Sequence, residues 1–195
     1  MAETTGTLRQ VVQDRVRDPS GQTYTNALVI DLLSRSQRIL NAGLQLVLVS
    51  GTLTTNPWQQ IYTPLSTFAD FADVVTVQDN GRDLDPLTLE EQNQINRQWF
   101  RRIGPSFESF TRLGRTLLAI HPAKDHTSSV TVVYAKLTTT LTADGDSVEF
   151  SDDKSPLIVD LSEALALIRE RRLEAVQVVL QRLQRRMLLV NEIEL

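Results

Sequence analysis

The strongest constraint on the fold is an apolar stripe near the end of the chain, where Leu161, Leu165, Ile168, Val176, Val179, Leu183, Met187 and Val190 recur mostly every three or four residues. That spacing is the period of an α-helix with one buried face. Its single gap, bridged by Arg172, does not by itself end a helix, because neither Gly nor Pro stands there. Read as one helix from Asp160 or Ser162, the stripe covers about 30 residues, or roughly 45 Å at 1.5 Å per residue. A small domain does not cover that length by itself, so part of the helix is expected to pack against another copy or another protein. The expected contact set is Arg169, Arg172, Val176, Val179, Leu183, Met187, Val190 and Ile193. Arg171, Arg182, Arg185 and Arg186, mixed with Glu163, Glu170 and Glu174, describe a solvated or intersubunit face with ion pairs.

Upstream, Thr7 to Arg17 carries Leu8, Val11, Val12 and Val16 on a narrow helical stripe, which predicts a short helix that orders by docking on a neighbour. Asp18-Pro19-Ser20-Gly21 breaks it, and a second helix is expected from Thr25 with its end signalled by Asn41 to Gly43. Strands are expected over Leu44 to Thr55, Gln59 to Tyr62, Val74 to Val77, Leu117 to Ile120 and Val130 to Leu137. Asp79-Asn80-Gly81-Arg82 predicts a tight hairpin turn, and Thr88 opens a short helix expected to reach Trp99 before Gly104-Pro105 stops it. Thr138 to Asp146 reads as an exposed loop or hairpin tip. The expected fold class is α+β: N-terminal helices, a small antiparallel β-rich centre with a short helix, and a long C-terminal helix. One domain, 1–195, is expected, with segments 1–50, 51–160 and 161–195.

Composition narrows the chemistry. With 195 residues, 20 Lys+Arg against 24 Asp+Glu and a net charge of −4, the chain is not built to bind nucleic acid through its phosphates. It has no cysteine, which excludes disulfides, thiolate nucleophiles and cysteine-ligated metals. The apolar runs are far shorter than the roughly 20 residues that span a bilayer, so no membrane contact is expected. Met1 to Thr5 lack the features of a signal peptide, and retention where the chain is made is expected.

No catalytic constellation emerges, and the chain is expected not to be an enzyme. His121 and His126 are separated by Pro122, Ala123, Lys124 and Asp125, which does not give two ligands on one helical face. There is no nucleophile elbow and no phosphate-cradling glycine motif. Asp144, Asp146, Glu149, Asp152 and Asp153 could offer oxygen ligands to a hard cation, with a metal hydrolase on Asp144, Asp146 and Glu149 as the weakest reading, but their spacing fits no calcium loop. A charged hairpin tip describes them better, or a set of carboxylates facing a channel that carries a polyanion. No cofactor or metal is expected. Arg97, Arg101, Arg102, Arg112 and Arg115 stand among Trp99, Phe100, Phe107 and Phe110, as on a nucleic-acid surface, although helix-end and ion-pair roles are commoner. Trp58 and Trp99 are read as core anchors, or more sharply as interface anchors.

The order of motifs from Pro57 to about Arg172 resembles the head-to-tail connector (adaptor or neck) proteins of tailed bacteriophages. The resemblance is carried by Tyr62-Thr63-Pro64, by Phe71 to Val77 leading to Asn80-Gly81-Arg82-Asp83-Leu84, and by the acidic helix ending in Trp99. Gly104-Pro105-Ser106-Phe107, Leu117 to Pro122, Val130 to Tyr134 and Leu161-Ser162-Glu163-Ala164-Leu165 complete it. It implies a structural virion protein, made in the host cytoplasm and assembled in the neck as a ring of twelve copies below the portal protein. Such a ring extends the DNA channel, receives a tail or nozzle protein, and passes double-stranded DNA without sequence-specific binding. The alternative is a tail-completion or tail-terminator protein, for which a sandwich-dominated fold and a ring of six are expected.

Overall fold

A computed structural model describes residues 3–114 and 116–193, the side chains of Leu65 and of 190–193 excepted. The chain is α+β, as expected, and divides into two compact units, one of residues 1–47 with 138–195 and one of residues 48–137. Segments from opposite ends of the sequence thus share one core.

In the first unit, α1 (Thr5–Arg15) places Leu8 and Val12, with Val16 just beyond it, in a core shared with α2 (Asn26–Leu44). The neighbour that orders the narrow stripe of α1 is therefore in the same chain. Thr25 caps α2 by accepting the Leu28 N–H at 3.4 Å. The break before it is organised by Asp18, whose carboxylate accepts the N–H groups of Tyr24 (2.6 Å), Thr23 (2.8 Å) and Gln22 (3.1 Å). Those bonds, led by Tyr24, hold its carboxyl below the usual range.

The second unit begins with β1 (Leu48–Thr55), four residues later than the alternation predicts because α2 continues through Leu44. Then follow β2 (Ile61–Tyr62), β3 (Phe71–Asp79), β4 (Arg82–Asp83), β5 (Asp85–Pro86) and α3 (Leu89–Ile95). β6 (Ser109–Leu113), β7 (Leu117–His121) and β8 (Ser128–Lys136) complete it. They form two four-stranded sheets, ordered β1-β8-β3-β4 and β2-β7-β6-β5, antiparallel except for the β5–β6 pair. Leu53, Val74, Val77, Val130, Val132 and Tyr134 from one sheet share an apolar core with Tyr62, Phe110, Leu118 and Ile120 from the other, as in a sandwich. Asn80 (φ 52°) and Gly81 (φ 79°) make the predicted hairpin turn. Thr88 caps α3 in a full capping box with Glu91, but the helix ends at Ile95 and only a 3-10 turn, Trp99–Arg101, follows.

Back in the first unit, α4 (Ser155–Arg169) and α5 (Leu173–Ile193) replace the single long helix. α4 ends in a Schellman motif: the Arg171 and Arg172 N–H groups reach the Ile168 and Leu167 carbonyls, and Arg171 has φ 59°. Such a position usually holds Gly, so the arginine hides the stop from a sequence reading. The chain folds back, and the stripe is consumed internally: Val176 and Val179 pack on Ala164 and Leu167, and Leu183 and Met187 join the core around Ile158. The expectation of a helix too long for its domain is thus corrected.

The hairpin closes on ions. Asp160, with no exposed side-chain surface, meets Arg15 Nη1 at 2.6 Å and Arg182 Nε at 3.0 Å, and Arg186 Nη1 lies 3.2 Å from its second oxygen. Glu163, one turn later, pairs with Arg182 and lies 3.4 Å from Arg15. Ser36 and Ser162, both buried, bond hydroxyl to hydroxyl at 2.9 Å where α2 crosses α4, and Tyr24 donates to the Ala166 carbonyl at 3.1 Å. Removing the buried charge takes a carboxylate from three guanidinium groups, only two of which keep Glu163, so Asp160→Asn is expected to lower the unfolding free energy by roughly 3 kcal/mol in a denaturant titration. Arg171→Gly is expected to raise it by about 1 kcal/mol in the same titration, because only the left-handed strain is removed.

Candidate functional site

The sheet unit carries a buried polar cluster beneath an exposed apolar surface. Lys124 is only 5% exposed, yet it is fully engaged: Nζ donates to Asp79 at 3.0 Å and to Ser128 at 3.2 Å, and lies 4.2 Å from the Phe107 ring centroid. With its side chain pinned, its carbonyl is fixed and accepts the Trp58 N–H at 2.8 Å. Trp58 is thereby held at φ 65°, in the left-handed region that bulky side chains avoid, with 64% of its surface in solvent.

The same segment joins the 3-10 turn. Gln60 Nε2 donates to the Trp99 and Arg102 carbonyls, both at 3.0 Å, and Ile103 bridges to Ala123 beside Lys124. Trp99 is core, as expected, with its indole N–H on Asn93 at 3.0 Å and its ring edge-on to His121. Trp58 is not core, so the structure separates two tryptophans that composition cannot tell apart. On segments tied to the same backbone, Ile61, Phe100 and Ile103 are also exposed, with Arg101 stacked over Phe100 at 5.4 Å. Phe100 and Ile103 lie in or beside a 3-10 turn, and Ile61 in a two-residue strand, segments too short to show a period; the aromatic next to Trp99 is the available signal.

Five of the basic and aromatic residues are engaged within the unit. Phe107, Phe110 and Trp99 face the core, Arg102 pairs with Glu108 at 3.0 Å, and Arg112 pairs with Asp73 at 2.8 Å. Arg115 lies outside the described residues. His121 is buried while His126 sits in solvent with Nδ1 2.7 Å from Asp125. Among the described residues, no group of three or more Asp, Glu or His could hold a metal ion.

In the helical unit, the acidic residues have local duties. Both oxygens of Asp144 accept from Arg9, at 2.8 and 3.0 Å. Asp146 accepts from the Thr142 and Ala143 N–H groups at 2.6 and 2.9 Å and from the Thr142 hydroxyl, which holds its carboxyl below the usual range. Glu149 accepts from the Thr139 hydroxyl at 3.2 Å, and its N–H is held by Gln37. Asp153 is held low by a Ser151 hydrogen bond and, with Asp144 and Asp152, is exposed. The loop is exposed as expected at Thr139, Thr140 and Thr142 to Gly145, but it is moored at Leu141, which is buried in the helical core with its N–H held by Ser34; Val148 and Phe150, just after it, are buried there too.

On α5 the expected contact set divides. Arg169 and Arg172 are exposed at the α4–α5 corner, Val176, Val179 and Leu183 are buried within the chain, and the side chains of Val190 and Ile193 lie outside the described residues. The exposed apolar residues of this helix are instead Leu173, Val178, Leu180, Leu188 and Leu189. They fall off the dominant stripe, so a search for one buried face passes over them; the adjacent pair Leu188-Leu189 was the visible sign.

A family model described as SU10 adaptor protein matches residues 4–190, and the chain belongs to that family. No curated protein matches it.

Burial, together with the Arg102 charge and against the opposing pull of Glu108, holds His121 below its ordinary value near 6.5. The unfolded chain then binds more protons at this site, so its contribution is complete above about pH 6.5 and is lost as pH falls through the folded value. Denaturant midpoints are expected to fall between about pH 7.5 and 5.5, and His121→Phe to flatten that slope.

Proposed function

With adaptor-family membership as the premise, we propose that this chain is a structural protein of a tailed-phage neck, forming a ring of twelve copies between the portal protein and the tail. The ring extends the channel through which double-stranded DNA is packaged and ejected. It touches that DNA without reading its sequence. The observation that carries the reading is Trp58: a large aromatic side chain kept in solvent at a strained backbone angle by a buried lysine serves no purpose in the isolated chain. Buried in a neighbour, it supplies the kind of aromatic anchor that dominates interfaces.

Other surfaces support the same assignment. Phe100, Ile103 and Ile61 extend the apolar area around Trp58, and the exposed leucines of α5 with Arg169 and Arg172 offer a contact with the next copy or the portal. The buried Val176, Val179, Leu183 and Met187 support that face from within. Asp144, Asp152 and Asp153 are exposed carboxylates of the kind that keep a DNA passage non-adhesive, with Asp146 and Glu149 shaping the loop that presents them. A net charge of −4 per chain, multiplied around a ring, gives the channel a field that repels phosphate. The tail-terminator reading asks for a sandwich-dominated fold, and here the helical unit is as substantial as the sheets.

Electron microscopy of the particle decides the location: density for this fold in twelve copies at the neck is expected, and its absence there overturns the reading. Native mass distinguishes twelve copies from six. Trp58→Gly separates the anchor from the fold. It is expected to leave the isolated chain as stable or about 1 kcal/mol more stable in a denaturant titration, because strain is relieved, while sharply reducing ring formation on portal particles.

A further inference from the structure

β1 is a sheet edge without the usual protection. It closes one end of the order β1-β8-β3-β4, and among the described residues β8 is the only strand paired with it. Its eight residues, Leu-Val-Ser-Gly-Thr-Leu-Thr-Thr, include no charge and no proline. Its register with β8 is unbroken from Leu48↔Ala135 to Thr55↔Ser128, whereas the β3–β8 pair is interrupted by two irregularities. Exposed edges in soluble proteins are normally kept short, bulged, or marked with Lys or Pro, because their free N–H and C=O groups template further pairing. The other three edges of this unit follow that rule: β2, β4 and β5 have two residues each, and β4 and β5 carry Arg82, Asp83, Asp85 and Pro86.

The side chains of β1 also suit an added strand. Leu48, Ser50, Thr52 and Thr54 point to solvent, while Val49 and Leu53 turn to the core. Gly51 leaves room for the Phe68 ring to lie over the strand: a Cβ there would come within 2.4 Å of it. Phe68 stacks on Tyr134 and, with Val49, is half-buried at the margin of the core. The two form an apolar ledge beside the edge.

We propose that β1 is completed in the assembled neck by an extended segment of a different virion protein, which adds to the sheet and sets apolar side chains, every second residue, against Val49 and Phe68. A second copy of this chain is the poorer occupant. Its other edges are too short and too guarded to match eight residues, and a two-fold β1–β1 pair closes at two copies and cannot continue around a ring. This inference rests on the neck-protein reading above.

Amide hydrogen exchange over residues 48–55, compared between the isolated chain and purified phage particles, tests it. Rapid exchange of the outward-facing amides in the isolated chain, slowed at least tenfold in the particle, is expected. Ser50→Lys and Thr52→Lys, both at exposed positions, are expected to leave the melting temperature unchanged while reducing incorporation into particles at least tenfold. Particles that contain the chain with exchange over 48–55 unchanged overturn the inference alone. Slow exchange in an isolated chain of twice the monomer mass identifies a second copy as the occupant and also overturns it. A chain absent from the particles defeats the functional reading, and this inference with it.

Discussion

Asp160 sits at the point where three helices must agree. A carboxylate with no access to water is costly unless its charge is answered within the fold, and here the answers come from Arg15 on α1 and from Arg182 and Arg186 on α5. Hydrophobic burial alone would let these helices slide, because Leu, Val and Ala contacts are tolerant of register. An ion cluster is not tolerant: α5 must turn back on α4 far enough to bring a guanidinium onto Asp160 while Glu163 takes the next position. The tight stop at Arg171, strained as it is, is what that geometry requires.

A parallel arrangement exists in the sheets. Lys124 is buried against one charge partner, Asp79, and the Phe107 ring, and the backbone consequence is a tryptophan held outward. In both units an internal electrostatic commitment fixes a local conformation that propensity alone would not choose. In both, the side chains left outside are large and exposed, Trp58 in one case and the arginines of the α4–α5 corner in the other.

Much of the architecture was legible from local chemistry. Thr25, Thr88 and Asn80-Gly81 act where the sequence places them, because caps and tight turns are decided by a few adjacent atoms. What could not be read was decided at long range. β6 (Ser109–Leu113) has no apolar alternation of its own and is a strand through its pairing with β7 and β5. The α4–α5 turn was hidden because arginine occupies a position that normally announces itself with glycine. The site is similar: composition treats Trp58 and Trp99 alike, and their opposite placements depend on the Lys124 carbonyl and the Asn93 side chain. The exposed leucines of α5 became meaningful only once the stripe was seen to be spent on α4.

The division of the chain has a consequence for the order of events during synthesis. The sheet unit is one continuous stretch, and its two ends lie side by side because Leu48 pairs with Ala135. It can close as soon as β8 leaves the ribosome. The helices made first have no such freedom: Arg15 has to wait for Asp160, and Asp160 for Arg182, so the helical core can form only when nearly the whole chain has been made. The early α1 and α2 can meet each other but spend the period of translation with the faces that α4 and α5 will cover still open, and a truncated product would carry a finished sandwich between unfinished ends.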